Sequence, residues 1–115
     1  MFDRGGIYLA KLYPSKGHEV GKTRPVLVLQ TDALNSIGHT TTIIAPLTTQ
    51  CIDGSFPLRY RLKKRGKLQK TSEVLCDQIR AVDINRLLPD KLAALSEKEM
   101  LEIGQQIALI LDMDL

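Results

Sequence analysis

The sequence predicts a mainly β domain that ends in one α-helix. Residues 1–89 consist of short apolar, β-branched segments separated by turns rich in glycine and proline. Residues 96–110 instead repeat apolar side chains every three or four positions, which is the helical period. The chain has 115 residues, and a single domain typically has about 100–150. We therefore expect one domain over residues 1–115.

Three strands are predicted in the first half of the chain, at residues 7–13, 25–30 and 40–47. The second has no polar residue before Gln30, which predicts a strand buried on both faces. Pro25 is expected at the start of that strand, where the sheet needs no backbone donor. Loops are predicted between the strands, at residues 15–22 and 31–39, and a further loop at residues 49–56 turns at Asp53-Gly54.

The next strand, residues 58–62, is predicted by strict alternation: Leu58, Tyr60 and Leu62 share one face, and two arginines share the other. Residues 63–67 are expected to form an exposed hairpin tip. A fifth strand is predicted at 73–79, a single helical turn at 83–87, and a short strand or helix at 91–95.

The C-terminal helix is predicted from its cap and its spacing. Ser96 and Glu99 match a capping box, in which each side chain accepts from the backbone N–H of the other residue. Four apolar residues follow at spacings of three and four, and their arc covers about half of the helix circumference. One small sheet would not cover so wide a face, so we expect a second copy of the chain to cover part of it.

The charge is unevenly distributed along the chain. Residues 1–89 hold 14 basic and 7 acidic groups, and residues 90–115 hold 2 basic and 6 acidic groups. A basic body suggests a polyanionic partner. Aromatic residues make up 4% of the chain and tryptophan is absent, which argues against an RNA platform of stacked aromatic rings.

The two cysteines, Cys51 and Cys76, lie in no CxxC or Cys/His cluster, so we expect no zinc site and no other metal. No N-terminal apolar run resembles a signal peptide, and no apolar stretch reaches the length of a membrane span. We expect a cytoplasmic protein with reduced thiols and no membrane association.

Several polar side chains at predicted strand ends could carry chemistry, although each is a weak signal alone. Arg24 precedes the buried strand, and Thr48 follows the third strand. His18 lies in a glycine-flanked loop, and an imidazole is well suited to proton transfer near neutral pH.

Taken together, these residues resemble the MazF/PemK/Kid family of ribonuclease toxins. The family motifs are matched in order by RGGIYL at residues 4–9, PSKGHE at 14–19, TRPVLV at 23–28, PLTTQ at 46–50, CDQIRAVD at 76–83 and NRL at 85–87. The resemblance covers nearly the whole chain. It implies a MazF/PemK/CcdB-like fold, an SH3-like and partly closed antiparallel barrel with a C-terminal helix.

The resemblance also implies a function. A toxin of this family is a homodimeric endoribonuclease that cuts single-stranded RNA at short sequences, without a metal or other cofactor. The expected products carry a 2′,3′-cyclic phosphate and a 5′-hydroxyl. The expected protein partner is an antitoxin with an acidic and apolar tail.

By position in these motifs, Arg24 and Thr48 correspond to the family's catalytic pair, and His18 falls where some members have a histidine and others a serine. The residues expected to contact RNA are Glu19, Lys22, Asp77, Gln78 and Arg80, with Glu19, Gln78 and Arg80 as candidates for reading bases.

The sequence departs from the family pattern at three positions. Leu75 stands where the Kid branch has a catalytic arginine, so the Arg–Asp arrangement of that branch does not carry over to Asp77. Val20 replaces a frequent glutamine, and Gly6 replaces an acidic residue.

Two other functions are compatible with this fold. A CcdB-type gyrase poison has a Trp-Gly-Ile end, whereas this chain has no tryptophan. An SH3-like protein-binding module needs a groove lined with aromatic rings, and the chain has two phenylalanines and three tyrosines.

Overall fold

The computed structural model describes residues 1–12, 17–18 and 22–114. This part of the chain forms a seven-stranded antiparallel sheet. Its strands are β1 (Gly6–Lys11), β2 (Thr23–Val28), β3 (Thr41–Thr48), β4 (Arg59–Leu62), β5 (Ser72–Leu75), β6 (Arg80–Asp83) and β7 (Leu87–Ala94). Two short helices, α1 (Asp32–Asn35) and a 3-10 turn (Ile84–Arg86), join strands, and α2 (Glu97–Ile110) follows the sheet. The mainly β class with a C-terminal helix is thus confirmed.

The strands follow the order β4–β5–β3–β2–β1–β7, and β6 also pairs with β3. The long strand β3 makes this possible, because its first half pairs with β6 and its last two residues pair with β5. The sheet is not closed, but it curls. The Lys67 N–H, beyond β4, donates to the Leu92 carbonyl oxygen of β7 at 2.7 Å.

The core lies on both sides of the sheet. One apolar cluster, which includes Ile7, Leu27 and Leu47, packs against Ile103 of α2. A second cluster on the opposite face includes Tyr8, Val26 and Ile44. The prediction that the second strand is buried on both faces is therefore confirmed.

Four local expectations were wrong. Pro25 is the third residue of β2 and pairs with Leu9, rather than starting the strand. The predicted fifth strand at 73–79 ends at Leu75 as β5, because the chain then turns and the Gln78 N–H donates to the Leu75 carbonyl oxygen at 3.1 Å; a separate strand, β6, begins at Arg80. Leu58 precedes β4 and is 46% exposed. The predicted loop at 31–39 contains α1, which Thr31 caps.

The capping box of α2 is confirmed: Glu99 N donates to Ser96 Oγ, and Ser96 N donates to Glu99 Oε1. Gln106 fastens the helix to the sheet, since its side-chain amide donates to the carbonyl oxygens of Pro57 and Arg59 at 2.9 and 3.0 Å. Leu101, at the margin of the predicted apolar arc, and Leu109, outside it, are exposed.

Candidate active site

A groove opens where β2 begins and β3 ends, and its volume is about 580 Å³. We call it the Arg24–Thr48 groove. Its walls come from strand ends and from the segment between β4 and β5. The lining residues are Leu9, Lys22, Thr23, Arg24, Pro25, Leu47, Thr48, Thr49, Gln50, Lys67, Leu68, Gln69, Lys70, Ser72 and Leu92.

The groove carries positive charge. Four of its lining residues are cationic, namely Lys22, Arg24, Lys67 and Lys70, and none of the lining residues that the structure describes is acidic. Lys67 is paired with Asp90, which accepts from its Nζ at 2.9 and 3.0 Å. Hydroxyl and amide groups fill the remaining polar positions. Such a lining favours an anionic ligand that offers hydrogen-bond acceptors.

Arg24 is held by a rigid strand. It pairs with Ala10 of β1, and the three residues that end β2 are fully buried. The β2–β3 register pairs Val26 with Pro46. Continued by two residues, this register brings Arg24 level with Thr48 on the same face of the sheet. The structure therefore brings together the two residues expected to form a catalytic pair.

The Thr48 hydroxyl has a defined orientation. Its Oγ1 accepts the Gln50 backbone N–H at 3.1 Å. A threonine hydroxyl has one proton to donate and two lone pairs. Because the Gln50 N–H occupies one lone pair, the hydroxyl proton remains available for an acceptor in the groove.

Lys22 also lines the groove, as expected for a residue that contacts the ligand. Its φ of 65° lies in the left-handed region that favours glycine. A hydrogen bond from the Leu12 N–H to the Lys22 carbonyl oxygen, at 2.8 Å, holds this conformation.

The other expected site residues within the described ranges do not line the groove. His18 is exposed on a turn, and Glu19 lies outside the described residues. Asp77 and Gln78 lie in the turn between β5 and β6. Arg80 pairs with Ile44 across β6 and β3. Because Ile44 and Thr48 lie four residues apart on β3, Arg80 lies on the same face of the sheet as Thr48.

Sequence reasoning missed the wall formed by Lys67, Gln69, Lys70 and Ser72. Residues 63–67 form the expected exposed hairpin tip, closed by two backbone hydrogen bonds between Arg65 and Leu68. The tip also approaches β7, since a Cβ at Gly66 would lie 2.7 Å from the Leu92 carbonyl oxygen. The signal in the sequence was Gly66, a glycine within a basic run. A glycine can mark a close approach of two backbones, but the sequence does not say which strand the second backbone belongs to.

Both cysteines are free thiols. Burial, with a smaller contribution from Asp77, raises the pKa of Cys76 to about 12, so this thiol is protonated and poorly suited to act as a nucleophile. In the part of the chain that the structure describes, no cluster of three His, Cys, Asp or Glu side chains could hold a metal ion. None of the described helices is long and apolar enough to cross a bilayer.

Comparison with known proteins gives a consistent result. The family model described as PemK-like, MazF-like toxin of type II toxin–antitoxin system matches residues 3–111. The endoribonuclease MazF of Staphylococcus saprophyticus is 40% identical over 108 residues, which span 93% of this chain and 88% of the relative.

Solved structures agree with the fold. MazF from Deinococcus radiodurans (form I) has a TM-score of 0.79 and 25% identity, with 96% of each chain covered. The MazE–MazF structure from the same organism (form II) has a TM-score of 0.74 and 25% identity, with 97% of this chain and 96% of the other covered.

Proposed function

Since the chain belongs to the PemK-like, MazF-like toxins of type II toxin–antitoxin systems and is an endoribonuclease, we propose that it cuts single-stranded RNA at a short sequence bound in the Arg24–Thr48 groove. The observation that carries this proposal is the cationic groove that holds Arg24 and Thr48 together. The domain responsible spans residues 1–115. A gyrase poison and an SH3-like binding module are set aside by the family assignment.

RNA supplies its own nucleophile, the ribose 2′-hydroxyl. Its attack on the adjacent phosphate gives a phosphorane, and departure of the 5′-oxygen then leaves a 2′,3′-cyclic phosphate and a 5′-hydroxyl. The protein must accept the 2′-hydroxyl proton, stabilise the phosphorane charge and protonate the leaving oxygen. No metal or other cofactor is required, because side chains perform all three tasks.

Arg24 stabilises the phosphorane, because a guanidinium donates two parallel hydrogen bonds to phosphate oxygens. Thr48 donates its free hydroxyl proton to a phosphate oxygen. His18 transfers protons to or from the reacting oxygens. The roles of Arg24 and Thr48 have the most direct support, because both residues line the Arg24–Thr48 groove.

The RNA on either side of the cut is bound by Glu19, Lys22, Asp77, Gln78 and Arg80. Lys22 contacts phosphates within the groove, and Lys70 adds a second cation on the opposite wall. Glu19, Gln78 and Arg80 read the edges of unpaired bases, which single-stranded RNA exposes. Arg80 supports this role by lying on the sheet face that also holds Thr48.

The proposed partners are a second copy of the chain and a cognate antitoxin, and the proposed location is the cytoplasm. The MazE–MazF structures of the Deinococcus relative support an antitoxin partner. Exposed Leu101, Leu109 and Met113 on and after α2 support a homodimer. Light scattering at micromolar concentration tests the dimer, and a mass of 12.8 kDa alone would contradict it.

The reaction is tested by incubating the purified protein with a mixed RNA in excess EDTA and sequencing the ends. We expect cleavage at one short sequence, with 5′-hydroxyl and cyclic phosphate ends. Cleavage that appears only after Mg²⁺ or Mn²⁺ is restored, or 5′-phosphate ends, would contradict the mechanism. The Arg24→Ala variant is the control for a contaminating ribonuclease.

A further inference from the structure

We propose that Arg59 and Glu73 are positioning residues for the cleavage reaction, because together they fix the backbone of Gln50, whose N–H orients the Thr48 hydroxyl. This inference rests on the proposed role of Thr48 in catalysis. Neither residue lines the Arg24–Thr48 groove, so both act through the loop that leaves β3.

Glu73 is a buried carboxylate on β5, between β4 and β3. Its side chain is 4% exposed, and its backbone pairs with Thr48 between β5 and β3. Three residues satisfy the carboxylate through four donors: the Ile52 N–H at 2.9 Å, Arg59 Nη1 at 3.2 Å, and Nε and Nη2 of Arg61 at 3.0 and 2.9 Å. Burial opposes ionisation, but these donors outweigh it and hold the pKa of Glu73 below its ordinary value. The group is therefore a charged anchor at neutral pH.

Arg59 links this anchor to the groove. The same Nη1 atom that contacts Glu73 also donates to the Gln50 carbonyl oxygen at 2.8 Å. The N–H of Gln50 in turn donates to Thr48 Oγ1 at 3.1 Å. Residue 50 is thus held on both sides, by the guanidinium at its carbonyl and by the hydroxyl at its N–H.

The consequence is a preset direction for the Thr48 proton. Gln50 is exposed, so its backbone has few other contacts to fix it. Loss of the Arg59 contact would let the residue rotate and release the hydroxyl from its N–H. A displacement of about 1 Å at a reacting group can reduce a rate by about 10²-fold.

Arg61 provides a matched control on the same strand. It also pairs with Glu73, at 2.9 Å, but its other partner is Asp53 at 2.7 Å and not Gln50. Its removal takes one guanidinium from the same carboxylate and leaves the Arg59–Gln50 contact in place.

The experiment compares Arg59→Met, Glu73→Gln and Arg61→Met, with kcat and KM measured on a single-stranded RNA oligonucleotide that contains the cleavage sequence. We expect kcat to fall about 10- to 100-fold in the first two variants with KM little changed, and Arg61→Met to resemble wild type. Arg59→Lys should recover part of the loss in kcat, since a lysine ammonium keeps the positive charge but not the planar geometry of the guanidinium. Thermal unfolding identifies any variant that fails to fold, and Arg59→Lys then provides the test.

A double-mutant cycle with Thr48→Val decides the mechanism. If Arg59 acts through the Thr48 hydroxyl, adding Arg59→Met to Thr48→Val should lower kcat no further. Additive losses would overturn the positioning role. If kcat is low in Thr48→Val but normal in Arg59→Met, the positioning role of Arg59 is overturned and the role of Thr48 stands. If kcat is normal in Thr48→Val, the proposed role of Thr48 is overturned, and the inference with it.

A structural measurement independent of activity completes the test. Hydrogen exchange of the Gln50 amide, followed by NMR, reports the hydrogen bond to Thr48 directly. We expect faster exchange at Gln50 in Arg59→Met and unchanged exchange in Arg61→Met. Equal exchange rates at Gln50 in wild type and Arg59→Met would overturn the inference.

Discussion

The Oε1 atom of Glu99 lies 2.6 Å from Nη1 of Arg65 and also accepts the Ser96 N–H at 2.9 Å. One carboxylate therefore caps α2 and holds the segment between β4 and β5. Two residues beyond Arg65, that segment begins to line the Arg24–Thr48 groove. The helix cap and one wall of the Arg24–Thr48 groove are thus stabilised by the same side chain.

Glu99→Ala should lower the free energy of unfolding by about 1–2 kcal/mol at neutral pH, because it removes half of the capping box and the partner of Arg65. Glu99→Gln should lose less, since glutamine also completes a capping box. Urea unfolding measures both. Equal losses in the two variants would show that the charge, not the cap, dominates.

Acid should remove the same contribution in wild type. The Arg65 guanidinium, with help from Ser96, holds the pKa of Glu99 below its ordinary value of 4.5, against the opposing effect of burial. The stabilisation is therefore complete above about pH 4.5 and is lost as the pH falls through the lowered folded-state value. Urea unfolding from neutral pH downward should show a smaller acid loss for Glu99→Gln than for wild type, and equal losses would contradict this.

Gly6→Asp, which restores the usual family residue, should destabilise this chain. A Cβ at Gly6 would lie 2.7 Å from Cε2 of Tyr8. That ring is buried and its hydroxyl accepts the Asp3 N–H at 3.0 Å, so it has little freedom to move. We expect a loss of about 1–3 kcal/mol. Gly104→Ala is the matched control: nothing lies within 4 Å of its Cβ, and helix propensity favours alanine by about 0.8–1 kcal/mol.

Arg24→Ala should lower the cleavage rate about 10²–10³-fold, as expected when a preorganised group that stabilises transition-state charge is removed. Arg24→Lys should restore little of it, because an ammonium does not donate in parallel to two phosphate oxygens. Single-turnover cleavage of a defined oligonucleotide measures both rates. Full activity in Arg24→Lys would indicate that charge alone is required.

His18→Ala should lower the rate about 10²–10⁴-fold if His18 transfers a proton. It should also remove whatever pH dependence of the rate proton transfer by His18 causes. His18→Ser separates the roles, because some family members have serine here. A near-normal rate with an unchanged pH profile in His18→Ser would exclude His18 as acid or base and leave Arg24 and Thr48 as the catalytic pair.

Local signals in the sequence predicted most of the fold. Ser96 and Glu99 lie three residues apart, so the cap of α2 could be predicted without knowledge of distant contacts. The break between β5 and β6 could not be predicted from the sequence. It arises because β3 pairs with both strands, and pairing of distant segments leaves no mark on the alternation around Leu75.

The candidate site was likewise predicted where local motifs mark it and missed where it depends on the pairing of distant segments. Arg24 and Thr48 were found through motifs and lie in one groove. The network around Glu73 was missed, since a carboxylate at the start of a predicted strand looks like an exposed charge. Only the register, which sets Arg61 opposite Glu73 and Arg59 diagonal to it, shows that two arginines neutralise the carboxylate.

Leu92 of β7 lines the groove, so the groove is incomplete until the ribosome has synthesised β7. A ribosome synthesises Arg24 and Thr48 long before it reaches residue 92. Until β7 has been synthesised, β1 can pair only with β2. Chains still emerging from the ribosome therefore lack a finished Arg24–Thr48 groove. If RNA is cut in this groove, as proposed, a chain at an earlier stage of synthesis lacks the site needed to cut the messenger that encodes it.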